Sequence, residues 1–302
     1  MPIDEVFSRI KLTDVLYATD FSESAELALS YAVAIAQHFG GRLQIAHAIS
    51  PEIYDHNLPE MIPSILKGLL ATADKQMHRV STSGVLAGVP HQTIVRDGEV
   101  WEVLAAIAAE YQSDLIVVGT RGRRGIKKKI LGSVAEEIYR LATIPVLTVG
   151  PRNTLPAPAK FGILYATDFS PESLYALPYA VSFAQEFGGL LTVLHVATGV
   201  APDSDIRMKL GEFFTDELHA LLPPEHLPWA KVHYQVKFGP AVEGILEAAE
   251  EHSAGLVVMG VRGTGSLQSA TPRFGSTAQW VVSLANAPVL TVRRKIFTKE
   301  QL

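Results

Sequence analysis

The sequence predicts an α/β protein of two tandem domains, each with a five-stranded parallel sheet flanked by helices. Two observations carry this. First, the chain repeats itself: "VLYATDFS" at 15–22 returns as "ILYATDFS" at 163–170, and "PVLTV" at 145–149 returns at 288–292. The copies stand about 140–150 residues apart, the size of a whole domain and far beyond solenoid repeats of about 20–50 residues. Second, within each copy short apolar runs alternate with stretches of helical length, the pattern of βα units that close a parallel sheet.

Each element of the first copy has its own reason. Val15–Ala18 is a short apolar strand ending at Thr19-Asp20. Ser22 then caps a helix in which Leu27, Tyr31, Ala34 and Ile35 keep helical spacing, and Gly40 ends it. Leu43–Ile49 is a second strand, a helix follows around 61–80, and Gln92–Val95 is a third strand closed by Asp97-Gly98. Glu99–Tyr111 is an Ala-rich helix. Leu115–Val118 is unbroken in its apolar character, which suits a strand buried on both faces. Ser133–Ala142 and Val146–Val149 complete the copy. The second repeats the plan with strands at Ile163–Ala166, Leu191–Val196, Val232–Val236, Leu256–Met259 and Val289–Val292. There Ser170-Pro171 is a cap followed by proline at the first helical position, and Pro178 predicts a kink or a shortened first turn. The stretch "GPRNTLPAPAK" holds three prolines and no periodicity. The expected domains are therefore residues 1–150 and 160–302, with 151–159 as linker.

Composition bounds the function. The 302 residues are 48% hydrophobic and 19% charged, with a formal net charge of −5. That balance argues against a general nucleic-acid binder, which is usually strongly basic. There is no cysteine, so disulfides, thiolate zinc sites and thiol catalysis are excluded. The N-terminal "MPIDEVFSRIKLTDV" does not read as a secretory leader, and no apolar run approaches the ~20 residues that span a bilayer. The expectation is a cytoplasmic protein without membrane contact.

The residues with chemical promise fall at strand ends. Gly119-Thr-Arg-Gly122 follows the fourth strand, and nine residues later Gly132-Ser133 opens a helix; Gly260-Val-Arg-Gly263 and Gly275-Ser276 repeat this with eleven between. Glycines let a backbone turn and approach a ligand closely. A helix N-terminus offers free N–H groups and a partial positive charge to phosphate. If the first and fourth strands are neighbours where strand order reverses, Asp20 and Asp168 meet these glycines in one cleft. The first loop carries Arg121, Arg123, Arg124, Lys127, Lys128 and Lys129, the second only Arg262 and Arg273. His47 and His195 repeat in register and read as hydrogen-bonded core residues. His78, His91, His219 and His233 have no metal-ligand spacing. No catalytic constellation and no metal cage emerges.

The Gly-x2-Gly-x9-Gly-Ser spacing, the "ATDFS" corner and the "HA" and "HV" pairs together resemble the universal stress protein family over nearly the whole chain. The resemblance implies two Rossmann-like domains of the adenine nucleotide alpha hydrolase-like type. It implies ATP as ligand, with Mg²⁺ held through the phosphates. In the first half Ala18, Thr19, Asp20 and Ala48 would line the adenine and ribose side, and Gly119, Arg121, Gly122, Gly132, Ser133 and Val134 the ribose and phosphates. In the second half the counterparts are Ala166, Thr167, Asp168, Val196, Gly260, Gly263, Gly275, Ser276 and Thr277. Two extra loop residues set the second phosphate site apart. The resemblance also implies that Val146–Val149 and Val289–Val292 pair antiparallel, an intramolecular pseudo-dimer, with a two-chain homodimer as a further step.

Three functions compete: an ATP-binding stress-response module with an unknown protein partner, a nucleotide hydrolase or adenylyl-transferring enzyme on the same fold, and a scaffold that has lost ATP binding in one half. Any hydrolysis would rest on phosphate positioning alone and be slow.

Overall fold

The computed structural model describes residues 10–54, 58–120, 133–151, 153, 161–200, 204–261 and 276–293. The chain forms two compact units, one over Lys11–Pro151 and one built on Arg152–Leu302, to which Ile10 also belongs. The Ile10 amide donates to Ser182 Oγ at 2.9 Å.

The first unit runs β1 (Asp14–Ala18), α1 (Glu23–Phe39), β2 (Arg42–Ile49), α2 (Ile62–Ser81), β3 (His91–Asp97), α3 (Val100–Glu110), β4 (Leu115–Gly119), α4 (Ser133–Leu141) and β5 (Val146–Val149). Its strands pair in parallel in the order β3-β2-β1-β4-β5. The second unit runs β6 (Gly162–Thr167), α5 (Pro171–Glu186), β7 (Leu190–Ala197), α6 (Ser204–Leu221), β8 (Lys231–Phe238), α7 (Ala241–Glu251), β9 (Ala254–Val261), α8 (Ser276–Leu284) and β10 (Val289–Arg293). Its order is β8-β7-β6-β9-β10, again all parallel. The central strands are buried on both faces, as their unbroken apolar runs require. The edge strands β3 and β8 extend beyond their apolar runs into half-exposed polar positions.

The helices begin and end for local reasons. Ser22 Oγ accepts from the Ala25 amide, and Gly40 leaves the helix at φ 66°, where its amide caps carbonyls of the last turn. In the second unit α5 starts at Pro171 behind the Ser170 cap. It runs unbroken to Glu186 with Pro178 buried inside it, so the proline does not end the helix. The proline removes one bond to the Leu174 carbonyl, and burial of α5 against the sheet outweighs that loss.

The first helix of each unit lies very close to the sheet. Tyr17 donates its hydroxyl to the Ala25 carbonyl at 2.6 Å, and Tyr165 donates to Ser173 at 2.7 Å. Burial pushes both phenols up, which keeps them protonated donors. On the next strand, a Cβ added to Gly119 would stand 2.9 Å from the Ser24 carbonyl carbon and oxygen. A Cβ on Gly260 would overlap the Glu172 carbonyl more severely. These two glycines thus admit a helix backbone before they admit any ligand.

Two stability predictions follow from this packing. Gly119→Ala and Gly260→Ala force backbone against backbone and should each cost at least about 1–3 kcal/mol. The larger loss is expected at Gly260, read from urea midpoints without ligand; wild-type midpoints in both would show the contact to be relaxed. Ser22→Ala should cost about 0.5–2 kcal/mol through the lost cap. Thermal unfolding of that variant checks it.

Candidate functional site

In the first unit strand order reverses between β1 and β4: β1 leads to β2 and β3 on one side, β4 to β5 on the other. In the second unit it reverses between β6 and β9. Ala18 pairs with Val118, and Ala166 with Met259. Thr19-Asp20 and Gly119 therefore leave neighbouring strands at the same end, as do Thr167-Asp168 and Gly260. The crevice beyond the carboxyl ends at such a reversal is where open parallel sheets bind ligands.

The corner after the first strand is built the same way twice. Thr19 Oγ1 accepts from the Phe21 amide at 3.0 Å, and Asp20 Oδ1 accepts from the Ser22 amide at 3.1 Å. Thr167 and Asp168 do the same for Phe169 and Ser170, at 3.0 and 3.1 Å. These bonds hold Phe21 and Phe169 at φ 61° and 59°, the left-handed region that non-glycine residues rarely enter. His47 Nδ1 donates to the Thr19 carbonyl at 2.7 Å and His195 Nδ1 to Thr167 at 2.9 Å. A carbonyl can only accept, so Nδ1 carries the proton in both rings. Each imidazole also packs on the strained phenylalanine, with ring centres 4.5 Å apart for Phe21 and 4.8 Å for Phe169. The histidines brace the corner.

The chemistry available is that of acceptors and amides. Partial burial pushes the Asp168 carboxyl up, but hydrogen bonds from the Ser170 hydroxyl and amide outweigh this and hold it below the usual carboxylate range. An ionised carboxylate can act only as a hydrogen-bond acceptor. Among the described residues no three or more His, Asp or Glu side chains gather into a metal-holding group. A cavity of about 500 Å³ lies elsewhere, at the amino-terminal end of β3 between Ser81, Leu86, Val89 and His91. Its position at the wrong end of the strands separates it from this crevice.

The two corners differ around the shared skeleton. Phe214 of α6 stacks on Phe169 at 6.2 Å and lies 4.4 Å from His195, which is buried. His47 is half-buried. Val196 faces α7, where a Cβ on Gly244 would touch its Cγ1 at 2.9 Å; the corresponding Ala48 is half-buried.

The sequence-predicted residues therefore divide into three groups. Ala18, Thr19, Asp20 and Gly119 come together at one reversal, Ala166, Thr167, Asp168 and Gly260 at the other, with Ala48 and Val196 one strand away. Ser133 and Ser276 open α4 and α8, with Val134 exposed and Thr277 half-buried in the first turns. Arg121, Gly122, Gly132, Gly263 and Gly275, and the other basic loop residues, lie outside the described residues. Phe21, Phe169 and Phe214 were not among the expected site residues. The only signal for the first two was their place inside the repeated "ATDFS".

Comparison with known proteins bears on the family and the fold. The universal stress protein family pattern fits residues 12–150 and again 162–293. A universal stress protein of Mycolicibacterium smegmatis is 26% identical over 290 residues, covering 92% of this chain and 96% of that protein. One from Thermus aquaticus is 33% identical over 136 residues, which is 45% of this chain but 96% of the relative. One half here thus equals a whole protein there. The crystal structure of a universal stress protein from Archaeoglobus fulgidus, 24% identical, covers 95% of this chain and all of its own with a TM-score of 0.72, so the fold is shared. With the family pattern spanning both halves, the chain belongs to the universal stress protein family and carries two of its domains in tandem.

Proposed function

We propose that the chain is an ATP-binding universal stress protein, a cytoplasmic regulatory module whose nucleotide state alters its conformation or its protein partner. As family domains, residues 1–150 and 160–302 are proposed, joined by 151–159, although the compact units divide at Lys11 and at Pro151. The observation that carries the reading is the doubled corner: at each strand-order reversal a braced Thr-Asp turn stands beside a glycine-led signature that runs to a helix N-terminus. The donor set fits an adenine nucleotide. Asp20 and Asp168 offer carboxylates to ribose hydroxyls, and the first turns of α4 and α8, with Ser133 and Ser276, offer amides to phosphate. Mg²⁺, where bound, would be held through the phosphates. Any hydrolysis would rest on phosphate positioning alone and be slow.

The halves are proposed to bind unequally. The first has the nine-residue spacing and six basic residues, whereas the second has eleven residues and two basic ones. A triphosphate is matched better by the first. The test is calorimetric titration of ATP into Gly132→Asp and Gly275→Asp, each adding a side chain and a like charge to one site. Gly132→Asp should abolish the tighter phase and Gly275→Asp should leave it. The reverse outcome inverts the ranking, equal losses make the halves equivalent, and no ATP binding by the wild type sinks the reading.

The pairing of 146–149 with 289–292 as an internal pseudo-dimer belongs to the same proposal. The chain lacks cysteine, so pairs of cysteines placed across these two segments report on it cleanly. At least one pair should oxidise to a disulfide within a single chain, and failure across the whole scan removes the pairing.

A further inference from the structure

The edge of the second unit carries a side-chain cluster that the nucleotide reading does not use. His233 on β8 and His252 at the end of α7 are far apart in sequence, yet their ring centres lie 4.9 Å apart at an interplanar angle of 50°. Two imidazoles whose nitrogens share one ion at about 2.0–2.1 Å have ring centres about 4.5–5.5 Å apart. Gln235, two residues along the same strand face, fixes the chemistry of one ring. Its amide nitrogen donates to Glu251 Oε2 at 3.0 Å, which turns Oε1 towards His252 Nε2, also at 3.0 Å. That oxygen only accepts, so His252 Nε2 carries the proton and Nδ1 keeps the lone pair. A relay from imidazole N–H through an oxygen acceptor to a carboxylate is the outer-shell arrangement that orients histidine ligands of metals.

The surroundings favour a cation. His252 caps the carboxyl end of α7, the negative end of its dipole. The last turns of that helix carry Glu247, Glu250 and Glu251. Lys237, the basic group on the same face, is held by Glu247 at 3.1 Å and Glu251 at 2.7 Å, and Asn286 donates to Glu250.

The first half supplies an internal control. Lys237–Glu251 has its counterpart in Arg96–Glu110, 2.6 Å apart between β3 and α3. By the same register the places of His233, Gln235 and His252 are held by Gln92, Ile94 and Tyr111. The fold closes this edge without either imidazole, so packing does not require the pair.

We propose that His233 and His252 form a binding site for a divalent transition metal of the zinc type, with water in the remaining coordination positions. Imidazole nitrogen is a preferred ligand of Zn²⁺, Ni²⁺ and Cu²⁺. A site with two protein ligands is exchangeable, in contrast to closed four-ligand structural sites. The proposal is independent of nucleotide binding. It is tested by titrating Zn²⁺, in a buffer that does not chelate it, into the full chain and into His233→Gln and His252→Tyr, which copy the first half. Circular dichroism confirms that the variants fold. The wild type should bind one more zinc equivalent than either variant, and His219→Gln should retain it. Gln235→Ile, also copied from the first half, should weaken the site about 10–100-fold. Equal zinc stoichiometry in the wild type and both histidine variants would overturn the proposal. So would a pair that titrates with protons, followed by NMR of the imidazoles, but takes no zinc.

Discussion

The constraint on which the rest depends is the close approach of the first helix of each half to its sheet. It needs two things at once: a glycine on the fourth strand, where any Cβ would meet helix backbone, and a buried tyrosine on the first strand that bonds a carbonyl in the helix's first turn. With the helix held there, the chain has only a few residues in which to turn from strand to helix. That shortness drives Phe21 and Phe169 into the left-handed region, and the Thr and Asp side chains become substitutes for the bonds a longer turn would make. The glycine that a motif reader assigns to the ligand is thus first a demand of packing. The two demands coincide because the crevice opens where the helix begins.

Much of the fold was legible because the chain writes it twice. Each apolar run had a second copy to confirm it, and capping residues such as Ser22, Gly40 and Ser170 marked the helix ends. Pro178 lies inside α5 without ending it, since a local rule about a missing amide says nothing of the burial that holds the helix against the sheet. At the site, Thr19, Asp20 and Gly119 could be placed in one crevice only by assuming strand order, which is a long-range property. The positive φ of Phe21 and the bracing by His47 were not readable, because backbone strain at a non-glycine residue leaves no compositional trace. Phe214, too, lies on a helix whose register against His195 is set by tertiary packing. The nearness of His233 to His252 likewise depends on how α7 lies against β8.

Duplication kept the skeleton and released the surroundings. The tyrosine, glycine, threonine, aspartate and histidine of the corner are the same in both halves. The positions one layer out are exchanged: Ala48 against Val196, Gln92 and Tyr111 against His233 and His252. Residues in the first group each make a hydrogen bond that shapes the corner or leave room for helix backbone, so exchange there is costly. Residues in the second group are partly exposed, and substitution there falls within what folding tolerates.

The amide of Ile10 has a consequence for how the two halves can be separated. The first unit begins at Lys11 and ends at Pro151, and the chain on both sides of it, at Ile10 and at Asn153, belongs to the second. By connectivity the first unit is an insertion within the second, tethered at both of its ends. A cut anywhere in 154–160 leaves Ile10 on one fragment and its Ser182 acceptor on the other. The loop between Ile10 and Arg152 is closed by a hydrogen bond and packing rather than by a covalent link, so its closure contributes to the fold of the second unit itself.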